Sequence, residues 1–213
     1  MGRICQQYNA LFHSDTVQSV GKTKLDLQVI SIDFIVASAH KFHGPKGIGF
    51  AFVRRRSGLR PLFFGGEQEK GLRPGTEGVH QVAGMAKAFE LSYHNLEADT
   101  KHISELKAYL IGQLEINFPE HKINGNQDGF YTVVNVQLPF SEDKTAMILF
   151  HLDIKGIAVS RGSACQSGSI SPSHVLEEIL PKEEVNKPSL RISFSHYNSK
   201  EDIDYLISCL KTI

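Results

Sequence analysis

The sequence lacks three features that would place it in common functional classes. It carries no net charge, with 23 basic and 23 acidic residues, whereas proteins that bind nucleic acid usually have a basic excess. It has no apolar run of the roughly 18 residues that a membrane-spanning helix needs. Its first residues, MGRICQQYNALFHSD, show only a broken apolar pattern, so we expect no signal peptide. These absences predict a globular protein with no membrane partner and no direct nucleic-acid partner.

Cysteine is also scarce. The three cysteines, Cys5, Cys165 and Cys209, are odd in number and widely spaced, which predicts reduced thiols in a cytoplasmic protein rather than a disulfide framework. Cys209 and Cys5 have apolar neighbours and are predicted to be buried. Cys165 lies in the run SRGSACQSGS, which is too small and too polar to pack a core. Because a predicted helix start follows it, Cys165 is either an incidental exposed thiol or a nucleophile favoured as the thiolate.

The apolar pattern along the chain predicts an α/β fold with two parts. The runs IDFIVASA and GIGFAFVRR have the length of buried strands, and a long glycine-rich loop, GLRPLFFGGEQEKGLRPGTEG, follows them. Residues 80–118 have apolar side chains at helical spacing, which predicts two helices with a break near Asp99. Length and pattern favour a boundary near residue 95, with parts 1–95 and 96–213.

Strands and helices alternate in the second part. The sequence predicts strands at YTVVNVQL, IAVS and SLRISFS, and helices at DKTAMILFHLDIKG, SPSHVLEEIL and SKEDIDYLISCLKT. Ser199 precedes the last helix as its expected N-cap. Alternation of this kind indicates a small α+β domain.

A single lysine lies between two histidines in ASAHKFHGPKGIGF, after an apolar run and before a Gly/Pro turn. A lysine desolvated at a strand end has a lowered pKa, and its neutral amine can form a Schiff base with a carbonyl. Around Lys41, the side chains of Ser38 and His40 and the backbone of Gly44 and Gly47 are candidate donors to one anion. An amine beside an anion cradle suits pyridoxal phosphate, which needs both.

Two residues upstream add to this hypothesis. Asp15 ends a predicted strand in FHSDTVQSVGK and is a candidate partner for a protonated pyridinium nitrogen. Gln18 is a candidate donor to the phenolic oxygen of the ring. Taken alone, Asp15 is more typical of a helix cap or a turn, and Gln18 of the surface.

Four motifs together resemble the cysteine desulfurases of the NifS/IscS type, in the class V aminotransferase group of fold-type I pyridoxal-phosphate enzymes. They are HSDTVQSVGK, SAHKFHGPKGIGF, RPGTEGVHQVAG and SRGSACQSGS. The resemblance runs from about residue 2 to the C-terminus. It implies the C-terminal part of a fold-type I large domain, followed by a small α+β domain that carries a mobile cysteine loop.

The resemblance also implies roles for individual residues in the large domain. Lys41 would bind the cofactor's aldehyde and move protons on the substrate. Asp15 would pair with the pyridine nitrogen, Gln18 would contact the ring's O3′, and Ser38 and His40 would bind the phosphate.

Three further residues receive roles in the same way. Thr76 would reach the phosphate of the other subunit, which implies a homodimer. Arg191 would hold the carboxylate of the substrate, L-cysteine. Cys165 would take the sulfur as a persulfide while L-alanine leaves, and would pass it to an acceptor such as an iron–sulfur scaffold protein.

The sequence departs from the family pattern in length. Members of the family are nearly twice as long, and their N-terminal half supplies a ring-stacking histidine and further groups near the cofactor. We therefore expect this chain to be a C-terminal fragment with little or no activity by itself.

Several alternatives remain open from the sequence. The same fold serves selenocysteine lyases, cysteine sulfinate desulfinases and aminotransferases, although a plain aminotransferase needs no thiol. An alternative from a different functional class is a non-catalytic module that docks on a scaffold protein. The pairs His13/Asp15 and His40/His43 lack the spacing of a metal site, so none is predicted. The GKT at Gly21–Thr23 lacks the first glycine of a P-loop.

Overall fold

The computed structural model describes residues 1–55, 57–161 and 173–213, and the chain divides into two compact units, Met1–Glu97 and Ala98–Ile213. Each unit contains a three-stranded sheet. In the described residues, no helix combines the length and the apolar character that crossing a membrane requires.

The first unit is built around a mixed sheet. Its elements are α1 (Gly2–Gln7), β1 (His13–Asp15), β2 (Phe34–Ser38), a 3-10 helix (Ala39–Phe42), β3 (Gly49–Val53), a second 3-10 helix (Gln68–Gly71) and α2 (Val79–His94). Strand β2 is central: β1 pairs with it in parallel and β3 pairs with it antiparallel. Ile35 and Ala37 are buried while their neighbours along β2 are half-buried, as expected for a strand whose side chains alternate between two faces.

The core of the first unit is small. Val20, Ala37, Ala39 and Phe42 are buried together, and the Phe42 ring meets the edge of the Phe89 ring from α2 at a centroid distance of 6.0 Å. Neither α1 nor α2 contains a buried residue. Several large apolar side chains are exposed instead, among them Leu11, Val29, Leu62, Phe63, Phe64 and Val79.

The second unit has a larger core. Helix α3 (Leu96–Asn117) leads into β4 (Lys122–Ile123), β5 (Val133–Gln137), α4 (Glu142–Ile154), α5 (His174–Ile179), β6 (Ser189–Ser193) and α6 (Lys200–Leu210). The sheet order is β4–β5–β6, and both pairings are antiparallel. Apolar side chains of α3, α4, α6 and the sheet form one cluster, in which Leu110, Leu114, Ile148 and Leu152 have no solvent exposure.

The sheet of the second unit has two chemically different faces. Val134 and Val136 of β5 and Leu190 and Ile192 of β6 are buried in the core cluster. The alternate residues point to the opposite face because side chains alternate along a strand. Those residues are polar or half-buried: Val133, Asn135 and Gln137 on β5, and Ser189, Arg191 and Ser193 on β6.

Most predicted elements are confirmed, including the strand that ends at Asp15, the strands around the lysine turn and the last helix. Ser199 is the N-cap of α6, and its backbone N–H donates to the Asp202 carboxylate at 3.1 Å. The α5 prediction is confirmed for His174–Ile179, and its first residues, Ser171 and Pro172, lie outside the described residues.

Three expectations were wrong, and one strand was missed. The break between α2 and α3 lies at Asn95, not Asp99. IAVS forms a single bridge from Ser160 to Arg191 rather than a strand. Strand β4 was not predicted, because two residues carry no periodic signal. Cys5 is only half-buried because α1 packs no residue into a core, whereas Cys209 is buried as predicted.

Candidate functional site

Two predicted site residues lie where parallel strands end. Asp15 is the last residue of β1 and Ser38 is the last residue of β2. Because Asp15 is in register with Val36 of the parallel β2, both strands deliver their last side chains to the same edge of the sheet. Ligands of open α/β sheets bind outside the carboxyl ends of strands.

The lysine turn is fixed to this edge by the backbone. The Ala39 N–H donates to the Ile48 carbonyl at 3.0 Å, and the Gly44 N–H donates to the Ala39 carbonyl at 2.8 Å. His43 has a φ of 65°, in the left-handed region, and ends the 3-10 helix. Lys41 lies in this helix and is half-buried. The turn therefore holds the lysine by hydrogen bonds that do not involve its amine.

Ser38 and His40 form a polar pair beside Lys41. The Ser38 Oγ and the His40 Nδ1 are 2.9 Å apart, at hydrogen-bond distance. If the imidazole donates from Nδ1 to the Ser38 oxygen, the hydroxyl keeps its O–H for an anion, and if the hydroxyl donates to Nδ1, the imidazole keeps an N–H at Nε2. The structure thus brings Ser38, His40 and Lys41 together.

Asp15 has one carboxylate oxygen engaged in its own turn. Its Oδ1 accepts from the Val17 N–H at 2.9 Å, and the next residue, Thr16, donates its hydroxyl to the Val36 carbonyl at 2.7 Å. A carboxylate has a second oxygen, which remains for a ligand at the strand edge. Gln18 lies exposed in the helical turn that follows.

A second lysine, Lys22, belongs to the same cluster and was missed by sequence reasoning. Gly21 lies in the same turn, and a Cβ there would lie 2.8 Å from the Phe42 Cβ, so this turn packs against the residue next to Lys41. Burial lowers the pKa of Lys22, and the charge of Lys41 lowers it further. Two ammonium groups close enough to repel each other favour an anionic ligand. The available signal was the lysine of the VGK run, Lys22, which was weighed only as part of a P-loop.

Thr76 lies far along the sequence from Asp15, Ser38 and Lys41, and no strand end carries it. It is exposed in the segment between the second 3-10 helix and α2. Leu62, Phe63 and Phe64, in the loop before that helix, are also exposed. Thr76 is thus placed on a surface loop of the first unit.

Arg191 lies on the polar face of the second sheet. It is half-buried on β6, directly opposite Asn135 of β5. Its backbone N–H donates to the Ser160 carbonyl at 2.6 Å, and its carbonyl accepts from the Ser160 N–H at 3.2 Å. Asn135 was not singled out by the sequence analysis, because a single amide within YTVVNVQL carries no motif.

Cys165 lies outside the described residues, so its position is not part of the site geometry. The chain before it is anchored twice. Ser160 pairs with Arg191 through the backbone, and the Arg161 Nη1 donates to the Thr145 carbonyl at 2.9 Å. Within the described ranges, no group of three or more His, Cys, Asp or Glu side chains is arranged as a metal site.

Comparisons with known proteins agree on one family. The family model described as "Aminotransferase class-V" matches residues 1–206. A cysteine desulfurase IscS from Dictyoglomus turgidum is 36% identical over 213 residues, and the match covers 100% of this chain and 54% of the relative. A mitosomal cysteine desulfurase from Encephalitozoon cuniculi is 40% identical over 206 residues, which covers 96% of this chain and 47% of the relative.

Solved structures give the same fold. The X-ray structure of a NifS-like protein from Rickettsia africae superposes with a TM-score of 0.84 at 31% sequence identity. The superposition covers 99% of this chain and 55% of that chain. The chain therefore spans about half the length of the relatives it matches.

Proposed function

Because the chain belongs to the class V aminotransferase family, we propose that the protein it forms part of is a pyridoxal-phosphate-dependent cysteine desulfurase. The reaction converts L-cysteine to L-alanine and leaves the sulfur as a persulfide on Cys165. The observation that carries the proposal is the cluster of Lys41, Ser38, His40 and Asp15 at one edge of the first sheet. The names of the relatives in the previous section support the choice of substrate.

The residues at the strand edge fit pyridoxal phosphate. The Ser38 hydroxyl and the His40 imidazole lie 2.9 Å apart and supply polar contacts for the phosphate. Lys22 lies close enough to Lys41 for the charge of Lys41 to lower its pKa, and an anion bound at this edge would relieve the repulsion between the two amines. Asp15 keeps one oxygen for the ring nitrogen, and Gln18 follows it for the ring oxygen. Lys41 supplies the amine.

Bound at this edge, the cofactor supplies an electron sink that weakens bonds at the substrate's α-carbon. Lys41 then acts as the base and acid that moves the proton at that carbon, a task that suits a half-buried amine on a fixed turn. Arg191 binds the substrate carboxylate, because its planar guanidinium can donate two parallel hydrogen bonds.

Cys165 takes the sulfur atom. Its thiolate attacks the sulfur of the substrate, the S–S bond forms and the bond between the β-carbon and sulfur breaks. The electron pair of the broken bond stays with carbon, which gains a proton and leaves as L-alanine, so the step needs no external oxidant or reductant. The persulfide then passes to an acceptor, for which an iron–sulfur scaffold protein is the proposed class.

The chain acts as one part of a larger, dimeric enzyme. It spans about half of its relatives, and Phe64 is 86% exposed in the loop that precedes Thr76. Apolar surface of this kind usually marks an interface. In the proposal, a second subunit covers the loop and Thr76 reaches that subunit's phosphate. We expect a cytoplasmic enzyme, because three widely spaced cysteines favour reduced thiols over a disulfide framework.

The test compares the 213-residue chain with the longest protein that contains it. Each is mixed with pyridoxal phosphate, and the visible absorbance of the lysine-bound cofactor and the sulfide released from L-cysteine are measured. We expect the longer protein to bind cofactor and release sulfide, and the isolated chain to do little of either. Cys165→Ala should abolish sulfur transfer and retain the cofactor absorbance, whereas Lys41→Ala should lose that absorbance.

Two results would contradict the proposal. Retained sulfide release in Cys165→Ala would exclude the persulfide step. A longer protein that binds the cofactor and transaminates, with no requirement for the thiol, would indicate an aminotransferase instead.

A further inference from the structure

The loop that precedes α2, residues 62–76, closes on itself. The Arg73 guanidinium lies over the Phe63 ring, 5.1 Å from the ring centroid, and its Nη1 donates to the Pro74 carbonyl. A Cβ added at Gly65 would lie 3.0 Å from the Pro74 Cβ, so the backbone of one arm packs directly against the other arm. Contacts between the two arms of one loop are typical of compact surface loops of the Ω type.

The far end of this loop is held in an unusual turn. Glu69 and Lys70 have φ angles of 50° and 57°, in the left-handed region that disfavours residues other than glycine. The Leu72 N–H closes the turn by donating to the Glu69 carbonyl at 3.1 Å, and the Gly75 N–H donates to the Gln68 Oε1 at 3.3 Å. Two consecutive residues keep such angles only where the contacts around them determine the conformation.

The order of the loop does not come from a hydrophobic core. The structure describes every residue of 62–76, and none of them is buried. Leu62 is 82% exposed and Phe64 is 86% exposed. The contacts within the loop therefore maintain its conformation. A loop ordered in this way fits a group that must be in place before a partner arrives, because ordering it in advance lowers the entropy lost on association.

We propose that the 62–76 loop is preformed in this chain and that Arg73 is the positioning residue that sets Thr76 for the cofactor phosphate of a second subunit. The role of Thr76 rests on the proposed function, whereas the closed loop rests on contacts within this chain. Thr76 directly follows Gly75, whose N–H is held by Gln68. Because Arg73 joins this arm to Phe63, releasing Arg73 lets the arm that ends at Thr76 move.

The first experiment uses the 213-residue chain without cofactor. Backbone ¹⁵N relaxation gives the order parameters of the Leu72 and Gly75 amides, which are about 0.85 for rigid backbone and below about 0.6 for flexible backbone. We expect rigid values in the wild type and flexible values in Arg73→Gln, because the contact between the arms is lost. Arg60→Gln makes the same change of charge at an exposed arginine before the loop and should leave both values unchanged. A flexible loop in the wild type, or a rigid loop in Arg73→Gln, would overturn the inference.

Substitutions of the ring test whether Arg73 acts through Phe63. Phe63→Leu removes the ring face and should loosen the loop as Arg73→Gln does, whereas Phe63→Tyr keeps the ring face and should retain the wild-type order. The double variant of Phe63→Leu and Arg73→Gln should be no more mobile than either single variant, because both remove the same contact. Phe64→Ser, at the neighbouring exposed ring, is the matched control and should leave the order of the loop unchanged. Equal mobility in Phe64→Ser and Phe63→Leu would contradict the assigned contact.

A second experiment measures pyridoxal-phosphate affinity by absorbance titration in the longest protein that contains the chain. Thr76→Ala and Arg73→Gln should each raise the dissociation constant about tenfold, the loss expected for one hydrogen bond to a charged group. The double variant should lose no more than Thr76→Ala alone, because Arg73 acts through Thr76. Additive losses would show that Arg73 acts elsewhere and would overturn its positioning role.

The two experiments separate this inference from the proposed function. If the loop is ordered and depends on Arg73 but the longest protein binds no pyridoxal phosphate, the proposed function fails and the preformed loop stands. If the wild type binds the cofactor and releases sulfide while Thr76→Ala or Arg73→Gln has wild-type affinity, the inference fails and the function stands.

Discussion

Replacing Gly49 by alanine tests whether the pairing of β2 and β3 positions the lysine turn. Gly49 is the register partner of Ser38, and a Cβ at Gly49 would lie 2.2 Å from the Ala37 carbonyl oxygen. Contacts of this type begin near 3.0 Å in real structures. Because the neighbour is backbone rather than a flexible side chain, the two strands must separate by most of an ångström at this position.

The expected cost follows from that displacement. Forcing one methyl group into a filled space typically destabilises a protein by about 1–3 kcal/mol. The separation occurs at Ser38, which is paired with His40 and immediately precedes the 3-10 helix of Lys41. We therefore expect Gly49→Ala to weaken pyridoxal-phosphate binding by about tenfold, since a misplacement of about 1 Å is enough to disrupt a site.

Hydrogen exchange of peptides from β2 measures the stability of the first unit separately from the second. Cofactor affinity is measured by absorbance titration in the longest protein that binds it. Gly112→Ala is the matched control, because no atom lies within 4 Å of its added Cβ and alanine in a helix is favoured over glycine by about 1 kcal/mol. Wild-type exchange rates and wild-type affinity in Gly49→Ala would refute the reasoning.

Two further predictions concern charge and packing. Burial and Lys41 lower the folded-state pKa of Lys22 below its ordinary value of 10.5, so the unfolded state binds more protons in that interval and the free energy of unfolding should rise with pH there. Lys22→Met should flatten this rise, measured by urea titration between neutral and alkaline pH. Lys46→Met, at an exposed lysine of the neighbouring turn, should leave the rise unchanged. Equal slopes of the free energy of unfolding against pH in the wild type and Lys22→Met would contradict the lowered pKa of Lys22. Leu110→Ala removes a side chain with no solvent exposure from the core of the second unit and should lower the free energy of unfolding by about 2–5 kcal/mol. Ile116→Ala, at a 75% exposed position of the same helix, should have little effect, and similar losses from both variants would show that α3 does not pack as described.

Local sequence patterns predicted the elements that contain a clear signal. The lysine turn was predictable because Gly and Pro separate two apolar runs, and the structure has β2 and β3 on either side of it. The start of α6 was predictable because Ser199 and Asp202 have the spacing of an N-cap and its reciprocal acceptor. These features depend only on residues close in sequence.

Features that depend on distant residues were not predictable. Asp99 was expected to interrupt a helix, yet it lies inside α3, where its carboxylate is 3.4 Å from the His196 Nδ1. The lowered pKa of Lys22 requires the fold to bring Lys41 near. Asn135 lies beside Asn124 and Arg191 only because of the register of the three neighbouring segments, and register between strands cannot be read from one strand alone.

The two-faced sheet of the second unit has a consequence for how this domain tolerates change. The same short segment of five residues, Val133–Gln137, has buried core side chains at its even-numbered positions and polar or half-buried side chains of the opposite face at its odd-numbered ones. Substitutions on one face can therefore leave the packing of the other face unchanged. An insertion or deletion of one residue inside the segment would exchange the two alternating sets, so hydrophobic side chains would enter solvent and amides would enter the interior. We therefore expect this stretch to tolerate substitutions better than changes of length.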